Sequence, residues 1–271
     1  MAVDHDGESD LAADPDGFFR RDGDTLVPAS FATSPWGDVL HGRLIGGLSA
    51  RAAEQARVSD PSLTCSRLTI DMFRSARLSP VRVSTSTIRS GRRILVLDVS
   101  VEQDDGPIGQ GRVVLLRRSE QPEGTFRQTP RWAVSTPPEI GPPHLPPVSS
   151  RWRAPWQSWS ASGARGGMWI REIHPLITGE NLTPLVRLAM AADLASPVSN
   201  SSDRGLDFIN ADYTIYLGRE PRGEYAGIEP GGHVSDDGVA AGQCVVHDLD
   251  GPVGFVGNAA IANSRVAQLA R

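Results

Sequence analysis

The most chemically suggestive residue in this chain is a carboxylate set in an apolar run. Asp193 lies within Leu188-Ala189-Met190-Ala191-Ala192-Asp193-Leu194-Ala195, near the end of a helical pattern that Pro197 is expected to close. There it faces the negative end of the helix dipole, so helix stability alone would not select it. Burial among Ala and Leu raises a carboxyl pKa, which suits a general base that takes a proton from water. Two amides could serve it. Asn210 precedes an alternating strand, where its side chain either orients a water or a carbonyl, or closes a local Asx turn. Asn258 sits in Val256-Gly257-Asn258-Ala259-Ala260-Ile261, and a buried amide needs partners, so it either completes a water site or satisfies nearby backbone. Asp212 and Thr214 follow Asn210 at a spacing of two and share its strand face. They are candidate substrate-side partners.

Other chemistries find less support. Cys65 and Cys244 are the two cysteines and lie far apart, which excludes a disulfide framework and a cysteine zinc site; both are expected to be reduced and buried. His247, Asp248 and Asp250 gather at a turn but lack a further ligand at suitable metal spacing, so no metal and no cofactor is expected. No G-x-S-x-G elbow and no Cys/His pairing is present, which disfavours a serine or cysteine nucleophile. All 27 basic residues are Arg, which removes Schiff-base and P-loop lysine chemistry. Arg74, Arg77 and Arg219 read mainly as solvated strand ends. His41, just before Gly42, reads as a structural residue at a helix start.

Charge and hydropathy narrow the class further. Six of the 32 acids lie in residues 1–16, and the remaining 26 nearly balance the 27 Arg. A nucleic-acid binder should carry a strong basic excess, so that partner is not expected. No apolar run approaches the roughly 18 residues of a membrane span, and the acidic N-terminus is unlike a targeting segment. A cytoplasmic location is expected.

Four segments organise the chain. Residues 1–16 read as a disordered acidic tail, 17–120 as an N-terminal αβ unit, 121–162 as a linker and 163–271 as a C-terminal αβ unit. The linker holds nine of the 21 Pro and four of the six Trp, namely Trp132, Trp152, Trp156 and Trp159. Proline at that density argues for extended chain outside a sheet, pinned by its indoles to a domain surface. In the first unit a strand at Thr25–Phe31 leads to a helix over Leu40–Arg57, followed by strands at Cys65–Phe73, Val81–Arg89, Ile94–Glu102 and Ile108–Leu116. Gly42, Gly46 and Gly47 each cost the helix about 1 kcal/mol against Ala, which points to close packing there. The second unit offers a strand at Met168–Ile173 and a helix at Thr183–Ala195. Thr69-Ile70, Arg74 and Asp105-Gly106-Pro107-Ile108-Gly109 return 145 residues later as Thr214-Ile215, Arg219 and Asp250-Gly251-Pro252-Val253-Gly254. Two islands in one register mark an internal duplication.

Several local motifs carry a family resemblance: Phe18-Phe19-Arg20-Arg21-Asp22-Gly23-Asp24, His41-Gly42-Arg43, Met168-Trp169-Ile170-Arg171, Ala191-Ala192-Asp193-Leu194, Asn210-Ala211-Asp212-Tyr213-Thr214 and the hairpin after Asp250. Taken in order, they make the chain resemble TesB-like acyl-CoA thioesterases from about Phe18 to Ala262. The resemblance implies an α+β fold, a tandem double hotdog in which each half lays a long helix on an antiparallel sheet. It also implies water-mediated hydrolysis of an acyl-CoA thioester, with catalytic roles on Asp193, Asn210 and Asn258. Asn258 stands where the family carries the longer Gln. Backbone N–H groups near Asn181 to Leu185 would then receive the oxyanion. A hydratase of this fold should show an Asp and a His a few residues apart at the helix start, and neither half offers that pair. The alternatives are a non-catalytic or diverged acyl-CoA or lipid-binding protein, or another enzyme acting on acyl-CoA. Leftover sheet edges favour a homodimer.

Overall fold

The computed structural model describes residues 17–143, 155–161 and 166–267. The stretch 1–16 and Trp152 lie outside them. Two short ribbons come first, β1 (Phe19–Asp22) with β2 (Thr25–Pro28) and β3 (Thr33–Ser34) with β4 (Gly37–Leu40), and lead into α1 (Arg43–Arg57). Then follow β5 (Leu63–Met72), β6 (Arg82–Ser90), β7 (Ile94–Gln103) and β8 (Gly106–Arg117). A one-turn helix α2 (Pro137–Ile140) precedes β9 (Trp156–Ser160) and β10 (Met168–Glu172). The second half continues with α3 (Pro184–Ala192), α4 (Ala195–Asn200), β11 (Leu206–Asn210), β12 (Asp212–Leu217), β13 (Tyr225–Asp236), β14 (Val239–Asp248) and β15 (Gly251–Ala267). Among the described residues no helix is long and apolar enough to cross a membrane.

Eleven strands form one sheet in the order β6-β7-β8-β5-β12-β15-β14-β13-β10-β9, with β11 also on β15. Its pairings are antiparallel, and the halves meet where β5 pairs with β12. There Thr69 stands opposite Thr214, their hydroxyl oxygens 3.1 Å apart. These are repeat mates, so the pseudo-twofold axis passes between them. The repeated islands also touch each other. Arg74 donates to the carbonyls of Pro107 (3.2 Å) and Gly106 (3.1 Å) and pairs with Asp105. Arg219 repeats the carbonyl contacts with Pro252 (3.0 Å) and Gly251 (2.9 Å), but its carboxylate partner is Asp248, while Asp250, the repeat mate of Asp105, pairs with Arg222. In each half a guanidinium fork holds a hairpin's carbonyls, which is why Arg and the Asp-Gly-Pro turn recur together.

α1 and α3 lie against one another and on the sheet, and their glycines explain the spacing. A Cβ on Gly46 would come within 1.7 Å of the Tyr213 hydroxyl and 3.1 Å of the Ala189 carbonyl, while one on Gly47 would meet Met190 at 2.9 Å. The lost helix propensity is thus offset by burial of two helices at close range. Leu44, Ile45, Leu48 and Ala52 face the core as the periodicity predicts. Next to them a fully buried ion pair crosses the halves. Arg43 forks onto Glu172, with Nη2–Oε2 at 2.7 Å, and its guanidinium lies 4.3 Å over Trp156 and 5.2 Å over Phe18. Cys65 and Cys244 are free and buried, and burial pushes both thiols up to about 12.

Three boundaries depart from expectation. α1 starts at Arg43, because Leu40 belongs to β4 and donates its N–H to the Ala76 carbonyl at 2.8 Å. The second helix does not run to Ala195: it breaks after Ala192, and Pro197 falls in the first turn of α4, where no intrahelical N–H is required. Trp156–Ser160, within the stretch read as linker, forms β9 and pairs with β10. Its prolines lie outside that strand. Trp132 stacks on His247 at 5.6 Å and leans on Trp169 at 5.5 Å, and the Trp159 ring meets Tyr225 edge-on at 5.5 Å. These indoles tie the stretch to the C-terminal half.

Candidate active site

The break between α3 and α4 places Asp193. Its backbone ends α3, and the next amide, that of Leu194, turns back tightly to the Ala191 carbonyl at 3.0 Å. Asp193 is 6% exposed. Asn210, the last residue of β11, donates its Nδ2–H to Asp193 Oδ1 at 2.8 Å. The other oxygen, Oδ2, lies 3.6 Å from His41 Nδ1, which approaches from the opposite half of the chain. Burial raises the Asp193 pKa, opposed by the Asn210 donation and the Arg43 charge.

His41 is buried, and burial reinforced by the neighbouring Arg43 charge drives its pKa well below the ordinary value. The ring is therefore neutral at physiological pH. The Arg43 backbone N–H points at Nδ1 from 3.5 Å, which suits the tautomer with Nδ1 as acceptor. Two acceptors, Asp193 Oδ2 and His41 Nδ1, thus face a common point at a separation that one water's two O–H groups can bridge.

These groups line a cavity of about 420 Å³ whose other walls are largely apolar, with Trp36, Ile45, Met72, Phe73, Ile209 and Ile261 among them. Gly42, at the start of α1, also lines it. An added Cβ there would meet Met72 Sδ at 2.5 Å, so the backbone itself forms the wall. The helix start beside Asp193 is therefore that of α1. The expected donors around Asn181 to Leu185 lie elsewhere, with Asn181 and Leu182 lining other clefts and Thr183 capping α3 through Val186 N at 3.3 Å.

The structure brings Asp193 and Asn210 together and leaves the other three predicted residues outside the cavity lining. Asn258 is buried, as its apolar surroundings suggested, but its Oδ1 accepts from Asn200 Nδ2 at 2.7 Å and its Nδ2 donates to the Gly242 carbonyl at 3.4 Å. It belongs to a polar chain that continues from Asn200 Oδ1 to His233 Nδ1 at 2.7 Å and secures α4 to the sheet. Asp212 accepts from the Ala259 N–H at 2.7 Å, and Thr214 is engaged with Thr69 on the pseudo-twofold axis. His41, which the sequence reads as a structural residue at a helix start, also lines the cavity beside Asp193. Its position before Gly42-Arg43 was visible, but its partner lies 152 positions away in the other half. Among the described residues no cluster of His, Cys, Asp or Glu could hold a metal ion.

Comparisons with known proteins agree with this architecture. The chain is similar to the tesB protein of Mycobacterium avium subs paratuberculosis, at 14% identity over 90% of this chain and 96% of that one, with a TM-score of 0.63. It is equally similar to an acyl-CoA thioesterase II, TesB2, from Mycobacterium marinum, at 15% identity, 90% and 93% coverage and a TM-score of 0.63. A hot dog fold protein from Alicyclobacillus acidocaldarius matches at 16% identity, 91% and 96% coverage and a TM-score of 0.59. The tandem double hotdog is thereby established as the fold. No curated protein matches the sequence. The model for the acyl-CoA thioesterase N-terminal domain matches residues 32–116 and that for the C-terminal domain matches residues 119–257, so the second match takes in the Pro- and Trp-rich stretch. Two domain models in the right order across most of its length make this chain a member of the acyl-CoA thioesterase family.

Proposed function

We propose that this protein hydrolyses acyl-CoA thioesters to the free acid and CoA, with Asp193 as general base. The observation that carries the reading is a buried carboxylate, gripped on one oxygen by Asn210 and open on the other toward His41 and an apolar cavity. A water donating to Asp193 Oδ2 and His41 Nδ1 keeps its lone pair free for the thioester carbonyl. As the C–O bond forms, Asp193 takes the water's proton, a step worth roughly 10²–10⁴-fold. The N-terminus of α1 at Gly42 supplies positive dipole to the developing oxyanion. Collapse of the tetrahedral intermediate breaks the C–S bond, and the protonated Asp193 returns its proton to the departing thiolate. The apolar walls take the acyl chain.

The test is release of free thiol from acyl-CoAs of graded chain length by wild type and Asp193→Ala. Turnover lost in the variant supports hydrolysis; equal rates in the two proteins refute the assignment of the base. A second reading, a non-catalytic acyl-CoA-binding protein, draws on the commitment of Asn258 to Asn200, which leaves the water without the amide expected from the last strand. Acyl-CoA binding with no thiol release by wild type would select it. The proposal includes a cytoplasmic location and a homodimer. Support for the dimer comes from β6, an outer strand of the sheet whose residues are nearly all exposed. Light scattering after size exclusion should give twice the chain mass, and a monomer at micromolar concentration would contradict it.

A further inference from the structure

The connection from β11 to β12 bears on Asp193 at more than one point. Asn210 holds the carboxylate, the Ala211 N–H donates to the Ala259 carbonyl at 2.9 Å, and Asp212 accepts from the Ala259 N–H at 2.7 Å. Tyr213 is fully buried and donates its hydroxyl to the Ala189 carbonyl at 2.9 Å. Ala189 lies one turn before Asp193, in the last turn of α3. Gly46 of α1 keeps that place open, since any Cβ there would occupy the position of the Tyr213 hydroxyl.

We propose that Tyr213 is a positioning residue for Asp193: its hydroxyl locks the last turn of α3 to β12 and so fixes the carboxylate between Asn210 and His41. This rests on the proposed role of Asp193 as general base. The hydroxyl and the Asn210 amide come from one four-residue segment, so they set the helix end and the carboxylate oxygen against a common frame. Removing the hydroxyl frees that turn and lengthens the Asn210 contact, the interaction that holds the Asp193 pKa down against burial. The other polar or charged groups facing Asp193 are His41 and Arg43, both from the α1 side.

The experiment compares wild type, Tyr213→Phe and Asp193→Ala by thiol release and by carbon NMR titration of the Asp193 carboxyl. With Tyr213→Phe, kcat should fall about 10-fold with KM nearly unchanged, as expected for a small misplacement of a reacting group. The Asp193 resonance should titrate at higher pH than in wild type, and the acid limb of kcat should move with it. A side chain that merely fills space would leave both unmoved. Gly46→Ala drives the hydroxyl off the carbonyl while keeping Tyr213; it should give the same displacement and stands in if Tyr213→Phe fails to fold. Wild-type kcat and an unchanged Asp193 titration in these variants would overturn the proposal. If wild type releases no thiol, the hydrolytic reading fails by itself, and the NMR comparison still decides whether Tyr213 positions Asp193.

Discussion

At the scale of the residue, Asp193 pays in stability for what it offers in chemistry. Its folded pKa is raised by burial, so the folded state binds a proton more tightly than the unfolded chain does. Stability from this group is therefore greatest below the unfolded carboxyl value, near 3.9, and falls as pH rises through the raised folded value. At neutral pH Asp193→Asn should raise the melting temperature while lowering kcat by roughly 10²-fold or more; a fall in both, by calorimetry and thiol assay, would contradict the assignment. The same sign governs activity, since the base must be ionised: kcat/KM should drop as pH falls through the raised Asp193 pKa. Asn210→Ala removes a donation that lowers that pKa, so its acid limb should lie at higher pH than that of wild type in a pH–rate profile. Asp193 and Asn210 were legible because their signals are local, a carboxylate in an apolar helix end and a polar residue before a strand. Asn258 shows the limit of such signals. Its burial followed from its neighbours, but the choice of Asn200 as partner depended on how α4 docks.

At the scale of the element, α1 matters most, because it carries one side of the site on a shaft pinned by buried charge. Arg43 and Glu172 are both buried, and each removes the other's desolvation cost through a bidentate pair. Arg43→Met leaves the Glu172 carboxylate buried without its cation and should cost about 3–5 kcal/mol in denaturant unfolding, whereas adding Glu172→Leu should recover much of that loss. An effect below about 1 kcal/mol for the single variant would mean that water reaches Glu172. Helix and strand periodicity revealed α1, β5 to β8 and β10 to within a few residues. It missed the ends where tertiary contacts decide. Leu40 fits a helical stripe as well as it fits β4, and only the Ala76 carbonyl on a neighbouring segment settles which. Pro197 signals a helix end in sequence, yet the break lies at Asp193 and the proline starts the next turn. Trp156–Ser160 was masked by surrounding prolines, although β10 supplies a paired edge for it.

At the scale of the molecule, duplication built a symmetric frame and left its two ends chemically unequal. The frame was visible in sequence because Arg74 and Arg219 hold the hairpins of the matching islands, so the contact recurs with the residues that make it. The inequality is visible by the same arithmetic. At the repeat separation of 145 that pairs Thr69 with Thr214, the counterpart of Asn210 is Cys65. Burial holds the Cys65 thiol protonated, with its pKa at about 12, so that half has no amide in the place of Asn210. The opposite end of the α1 and α3 pair has a carboxylate of its own, Glu54, but it accepts from the Thr183 hydroxyl at 3.0 Å amid the ion pairs Arg51–Glu180 and Arg57–Glu220. Burial raises the Glu54 pKa as it does that of Asp193, and a cleft of about 360 Å³ with Val58, Leu176, Ile177, Leu182 and Val186 in its walls opens beside it, yet the carboxyl is taken by the Thr183 hydroxyl and flanked by the Arg51 and Arg57 charges, so it is not free to serve as a base. On the proposed function, one hydrolytic site per chain is the consequence, whether or not chains pair. Calorimetric titration of Asp193→Asn with an acyl-CoA that wild type turns over should saturate at one ligand per chain. Saturation at two would mean that the Glu54 end also takes substrate, and that the two copies diverged in sequence without dividing the work.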